Sequence, residues 1–251
     1  MRNTVDPEKI ELIEKLRGGL IVSCQVQKDD PIYTPDMAVK MAEAARWGGA
    51  VGIRANSPEQ IRAIHEAVPE LPVIGLWKVW HEDTDVFITP TMKEIRAIRE
   101  SGAAILAMDC TRQITHEGTV AWDLLPQVKK EFPDAITFAD VSDYEEAAHA
   151  ADMGADIIAP TLYGYTKATA DIEEPDLRMF ARICRDFSDR AYIMMEGHIY
   201  TPEDAMKVIY LGAHAVIVGS AITRPHLTTK RFTDLLSRYQ NNWRDAEKAK
   251  H

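Results

Sequence analysis

Four times in this chain a glycine-alanine pair leads into a short apolar run that soon meets a polar residue or a glycine. The segments are WGGAVGIRA from Trp47, SGAAILAMD from Ser101, MGADIIAPT from Met153 and LGAHAVIVG from Leu211. A glycine suits the position just past a helix, where φ > 0 is wanted. The run after it suits a strand buried on both faces, as in a parallel sheet. Gly49, Gly102, Gly154 and Gly212 are 53, 52 and 58 residues apart, so each gap holds two strand-helix units. Intermediate strands are expected at Leu20–Cys24, Pro72–Trp77, Ile136–Asp140 and Ala191–Met195, which brings the total to eight. Helix starts are expected at Thr34-Pro35-Asp36, Ser57-Pro58-Glu59, Ser142-Asp143-Tyr144-Glu145 and Thr201-Pro202-Glu203-Asp204, where a hydroxyl cap, a proline or acids satisfy the free amides of the first turn.

Strand, polar loop, capped helix and Gly-Ala, carried through eight units, predict a (β/α)8 barrel of the phosphate-binding type. The 251 residues match the ~250 of one such barrel. An eight-stranded doubly wound sheet keeps the same periodicity and stays open at this point. No stretch reads as a linker, so one domain over residues 1–251 is expected. A helix over about 7–17 would close the barrel base, and a C-terminal helix would run over about 228–248.

The totals remove several function classes. A formal net charge of -10 opposes binding to nucleic acid or anionic lipid. The segment from Met1 to Leu16 is charged and amphipathic, without the apolar centre of a secretory signal, and no apolar run reaches the ~20 residues that span a bilayer. Cys24, Cys110 and Cys184 are odd in number and widely spaced, which fits buried free thiols in a reducing cytoplasm. The eight histidines show no metal-ligand spacing, and no metal is expected. Neither a dinucleotide fingerprint nor a Walker sequence is present.

In a parallel barrel the chemistry sits at the C-terminal ends of the strands. Here those ends carry Ser23 and Gln25, Arg54 and Asn56, Lys78, Asp109 and Thr111, Asp140, Thr161, Glu196, and Gly219-Ser220. The last two loops, Met195-Glu196-Gly197-His198 and Val218-Gly219-Ser220-Ala221-Ile222-Thr223-Arg224-Pro225, are the most informative. Their glycines let backbone amides approach an anion, and Arg224 adds a forked donor, so a phosphate is expected there.

With these residues in view, the segments GGLIVSCQ, AVGIRAN, PVIGLWK, VFITPT, ADVSDYEEAAHAADMGADIIAPTLYGYT, EGHIYTPEDA and GAHAVIVGSAITRP resemble the N-acylglucosamine-6-phosphate 2-epimerase family, also called N-acetylmannosamine-6-phosphate 2-epimerase. The likeness runs in order from about Gly18 to Pro225. It implies a cofactor-free isomerase of sialic-acid and aminosugar catabolism that inverts C2 of a phosphorylated N-acyl hexosamine. It also implies a catalytic pair at Lys78 and Glu196, substrate-binding residues at Gln25, Arg54 and Asp140, and a phosphate site at Gly197, Gly219, Ser220 and Arg224. Thr161 and Tyr165 are placed with the substrate-binding residues. A homodimer through outer helices is a further implication.

The sequence departs from the family pattern near the sugar. Val79 stands where an arginine usually follows the strand lysine, and His198 stands where the Glu-Gly pair is usually followed by Arg or Lys. Pro160 and Tyr163 replace smaller or more polar residues, and Trp77 and Trp80 are expected to bulk up the same rim. These changes remove two cations and add aromatic surface while leaving Lys78 and Glu196 in place. The alternatives they keep are another phosphorylated sugar as substrate, or a barrel that binds such a sugar without turning it over.

Overall fold

The computed structural model describes residues 2–170 and 174–248. Eight parallel strands lie side by side in chain order: β1 (Leu20–Ser23), β2 (Gly52–Asn56), β3 (Val73–Leu76), β4 (Ile105–Asp109), β5 (Ile136–Asp140), β6 (Ile157–Ala159), β7 (Tyr192–Glu196) and β8 (Ala215–Val218). Ile21 of β1 pairs with Gly52 on one side and with Ile217 of β8 on the other. That double pairing closes the ring and removes the open doubly wound sheet. Helix α1 (Pro7–Glu14) precedes the barrel. Helices α2 (Met37–Trp47), α3 (Pro58–Ala67), α4 (Met92–Glu100), α5 (Leu124–Glu131), α6 (Tyr144–Asp152), α7 (Leu177–Phe187) and α8 (Pro202–Tyr210) follow β1 to β7 in turn. The short α9 (Ser220–Thr223) and the long α10 (Pro225–Lys248) come after β8.

The repeat has the geometry its composition requires. Gly49, Gly102, Gly154 and Gly212 each follow a helix cap and adopt φ between 85° and 111°, where a Cβ would strain the backbone. Two helix starts match the expected caps: Ser57 accepts from the Gln60 amide and Thr201 from the Asp204 amide, each followed by proline. Two are displaced. Thr34 hydrogen-bonds the Asp36 carboxylate, and the helix begins at Met37. Ser142 spends its amide and hydroxyl on buried Glu146, leaving Asp143 to cap α6. In both cases several cap-forming residues sit together, and local side-chain partners decide where the helix starts; Asp36 itself makes no side-chain cap hydrogen bond.

Side chains alternate across each strand, so residues of one parity face the barrel axis. Ile21, Ile74, Leu76, Ile105, Ala107, Ile136, Phe138, Ile157, Ala159, Tyr192, Met194, Ala215 and Ile217 form the inner core, closed below by Ile13 and Leu16. The other parity, including Val22, Ile53, Val73, Leu106, Ala139, Ile158, Ile193 and Val216, packs outward against the helices. One inner step beyond the apolar layers, the same parity reaches Ser23, Arg54, Lys78, Asp109, Asp140, Thr161, Glu196 and Gly219. The period of two thus places one polar layer on top of the apolar core.

Candidate active site

Most of that polar layer, all but Asp109 and Asp140, lines a cavity of about 290 Å³ at the C-terminal mouth of the barrel. Its walls include Ser23, Gln25, Arg54, Lys78, Thr161, Tyr165, Glu196, Gly197, Gly219, Ser220 and Arg224. Ten of the eleven residues expected from sequence to act on the ligand therefore meet around one space. The eleventh, Asp140, stands beneath the floor, fully buried behind Arg54.

Arg54 organises the floor. Its side chain is 0% exposed, which for a guanidinium requires compensating partners. Nη2 donates to Asp140 Oδ2 at 2.6 Å, Nη1 donates to Glu196 Oε2, and Nη1 also reaches Thr161 Oγ1 at 3.5 Å. Its plane lies 4.8 Å from the centre of the Phe138 ring below. One cation from β2 thus joins carboxylates from β5 and β7. Burial raises the Glu196 carboxyl above the usual range, and the charge of Asp140 adds to that, against the pull of Arg54.

Lys78 follows β3, where the chain turns back on itself over the mouth. The Val79 amide donates to Phe87 O at 2.9 Å, and the Thr89 amide donates to Trp77 O at 2.8 Å. The Lys78 amide is held by Asn56 Oδ1 at 2.8 Å, so the backbone carrying the lysine is pinned from both sides. Its Nζ lies 5.9 Å from the Phe87 ring centre. Trp80 stacks on the outer side of that ring, with centres 4.0 Å apart. Burial, and secondly the nearby Arg54 charge, lowers the Lys78 ammonium to about 8, so at pH 7 about a tenth is free amine, against far less than 1% for an ordinary lysine.

The opposite corner suits an anion. Gly197 and His198 both have positive φ, 95° and 56°. The second of these is unusual for a residue with a Cβ. His198 Nε2 donates to the Tyr163 carbonyl at 2.9 Å, and its ring lies 5.8 Å from that of Tyr165. After β8, Gly219 leads into α9, and Thr223 Oγ1 donates to Ser23 O at 3.0 Å, tying this turn to β1. Arg224 is held from the β1–α2 loop by Asp30, whose two oxygens lie 3.1 and 3.2 Å from its Nη2. Among the described residues, no three His, Cys, Asp or Glu side chains gather where a metal ion could be held.

Some expectations about the rim are corrected. Trp80 lines the cavity, but Trp77 packs against the outer core. Leu76 and Lys78 face inward, so the residue between them must face outward. Tyr163 enters the site through its carbonyl rather than as a cavity wall. Asp30, Phe87 and Tyr200 are contributors that sequence reasoning missed. All three sit in loops or at turns where no periodicity marks a facing direction.

Comparison with known proteins points one way. The profile of the family described as "Putative N-acetylmannosamine-6-phosphate epimerase" matches residues 38–238. A protein of Caldanaerobacter subterraneus subsp. tengcongensis named "Putative N-acetylmannosamine-6-phosphate 2-epimerase" is 43% identical over 235 residues, covering 93% of this chain and 98% of its own length. A protein of Listeria monocytogenes with the same name is 42% identical, covering 91% and 96%. The solved structure of the N-acetylmannosamine-6-phosphate 2-epimerase from Clostridium perfringens superposes with a TM-score of 0.83 at 34% identity, covering 89% of this chain and 96% of that one.

Proposed function

The chain belongs to the N-acetylmannosamine-6-phosphate epimerase family, and from that premise we propose that it interconverts N-acetylmannosamine 6-phosphate and N-acetylglucosamine 6-phosphate by moving a proton at C2. Such an isomerase serves sialic-acid and aminosugar catabolism. The observation that carries the mechanism is the placement of Lys78 and Glu196. β3 and β7 are four strands apart in either direction round a closed ring of eight, so the two groups face each other across the cavity. Inverting a carbon requires proton exchange on both of its faces, and this pair offers one proton-transfer group on each wall.

The C2 proton becomes acidic when the sugar opens and C1 is an aldehyde. Neutral Lys78 takes a proton from carbon, and the charge passes to O1 of an enolate. Glu196, with its raised carboxyl held on Arg54, exchanges a proton from the far wall. Gln25 anchors its amide on Ser23 Oγ at 2.8 Å and presents it to a substrate oxygen. Nothing is oxidised and no group is transferred, so the protein's own acids and bases suffice. Arg224, aimed by Asp30, holds the 6-phosphate together with the amides of Gly197, Gly219 and Ser220.

Incubation with N-acetylmannosamine 6-phosphate in D2O, followed by NMR, tests this reading. The product should be the glucosamine epimer with deuterium at C2. Recovery of the substrate with its C2 proton intact, in a protein shown to bind it, leaves only a sugar-phosphate-binding barrel. Arg224→Ala should raise KM for the phosphorylated sugar on the order of ten- to a hundredfold, with a smaller change in kcat, because a charge-assisted forked contact to a group remote from the chemistry is lost. An unchanged KM would remove Arg224 from the phosphate site.

Cys24, Cys110 and Cys184 are buried and unpaired, which supports a reducing cytoplasmic setting; among the described residues no helix is long and apolar enough to cross a membrane. A homodimer is supported by exposed apolar side chains on α10, namely Phe232, Leu235 and Leu236 at helical spacing, and by Trp47 and Tyr210 at the ends of α2 and α8, 92% and 82% exposed. Light scattering should give twice the chain mass, falling to the monomer for Phe232→Asp/Leu235→Asp. A monomeric wild type at micromolar concentration would end the dimer proposal.

A further inference from the structure

Asp109 ends β4 with the inward parity of Arg54 and Glu196, yet it forms no part of the cavity wall. Its carboxyl is 1% exposed. Oδ1 accepts from the Thr111 amide at 2.8 Å and from Thr111 Oγ1 at 2.7 Å. Oδ2 is buried without a hydrogen-bond partner among the described residues. Across the sheet, its in-register neighbour on β5 is Asp140, and the Cys110 amide, donating to the Asp140 carbonyl at 2.8 Å, keeps the strands paired at that point. Asp140 has the matching deficit. Its Oδ2 takes Arg54, while its Oδ1 is buried and has no hydrogen-bond partner among the described residues.

Two carboxylates side by side can only accept, so as a pair of anions neither could satisfy the other. A single proton between them satisfies both oxygens at once. We propose that Asp109 is a positioning residue that carries this proton and donates it from Oδ2 to Asp140 Oδ1. The proton belongs on Asp109 because Asp140 faces the Arg54 cation at 2.6 Å, which favours its charged form, whereas Asp109 receives only the neutral donors of Thr111. Charge balance agrees, since Arg54 already serves Asp140 and Glu196, and a third buried anion would have no cation of its own. Burial, with Asp140 and Glu146 adding to it, pushes the Asp109 carboxyl up to about 7. The consequence runs through a chain of contacts. Asp109 fixes Asp140, Asp140 fixes the plane of Arg54, and Arg54 fixes Glu196 on the cavity wall.

The kinetic half of the test rests on the epimerase reading above; the spectroscopic half does not. Asp109→Asn retains the shape, with a carbonyl for Thr111 and an amide N–H for Asp140. Asp109→Ala removes the donor. The expected result is kcat within about threefold of wild type for the asparagine variant and a drop of about ten- to a hundredfold for the alanine variant, with KM little changed in either. An asparagine variant as impaired as the alanine one would overturn the proposal, because a charged carboxylate would then be what matters. Wild-type kcat in the alanine variant would overturn it as well. Independently of turnover, the infrared difference between wild type and Asp109→Asn below pH 6 should show the carbonyl stretch of a protonated carboxylic acid. Its absence would sink the assignment even if the substrate proved to be another sugar.

Discussion

Replacing Lys78 with methionine should leave a protein that folds and binds the phosphorylated sugar but epimerises it on the order of a thousandfold or more slowly, the effect of losing a positioned general base. The substitution keeps the length of the side chain against Phe87 and removes its amine. Folding should not suffer. The ammonium is disfavoured in the native state, with its pKa at about 8 against 10.5 for the ordinary side chain. The unfolded chain therefore binds more protons between those values, and Lys78 makes wild-type stability rise with pH through that window. The methionine variant should lack this slope, and its Tm at pH 7 should be no lower than that of wild type. In the wild type, kcat/KM should rise with pH and level off above about 8 as the amine loses its proton. Deuterium exchange measured separately from each epimer reads the two walls. Exchange that survives in the variant from one epimer assigns that face of C2 to Glu196. Exchange surviving undiminished from both would show that Lys78 is not a base.

Arg54→Ala should cost about 3–5 kcal/mol of stability at neutral pH and nearly all activity, since it strands Asp140 and Glu196 as buried anions without their cation. The deficit has a sign that can be checked. Without Arg54 the Glu196 carboxyl, already raised by burial, holds its proton still more strongly in the folded state than in the unfolded chain. Stability is then recovered as the pH falls and lost as it rises through the elevated folded-state pKa of Glu196. The Tm gap to wild type should therefore narrow towards pH 5; a gap independent of pH would mean that packing on Phe138, not charge, is what Arg54 supplies. The variant should also move the Lys78 titration upward from about 8, because the repulsion from Arg54 is one of the two main causes of its depression. Any residual activity should then appear only at higher pH.

Much of this was legible in the sequence, for physical reasons that differ from residue to residue. The glycines Gly49, Gly102, Gly154 and Gly212 marked helix ends because few residues besides glycine tolerate the backbone found there. Lys78, Glu196 and Arg54 could be placed at the mouth because a strand repeats every two residues, and each lies two beyond an inward position, held by Leu76, Met194 and Gly52. Once β3 ends, the period no longer applies by itself. Trp77, between inward Leu76 and Lys78, is still turned outward by it, whereas Trp80 lies beyond its reach and lines the cavity. The displaced caps at Asp36 and Asp143 show the same limit, since neighbouring cap-formers are equivalent until a buried partner such as Glu146 claims one of them. The role of Arg54 as a hub for Asp140 and Glu196, and the grip of Asp30 on Arg224, join residues 86, 142 and 194 positions apart in the chain. Such meetings depend on which strands end up facing one another, and no local pattern encodes them.

The long helix α10 begins at Pro225, immediately after Arg224, and its Arg231 lies 3.7 Å from the ring of Tyr200, a residue of the cavity wall. The helix thus touches the site at two places while its apolar side chains Phe232, Leu235 and Leu236 stay exposed. If a second copy is what covers them, assembly and substrate capture are mechanically one event. Dilution would then loosen the proposed hold on the phosphate before it disturbed Lys78 and Glu196. The apparent affinity of such an enzyme is set by how much of it is present.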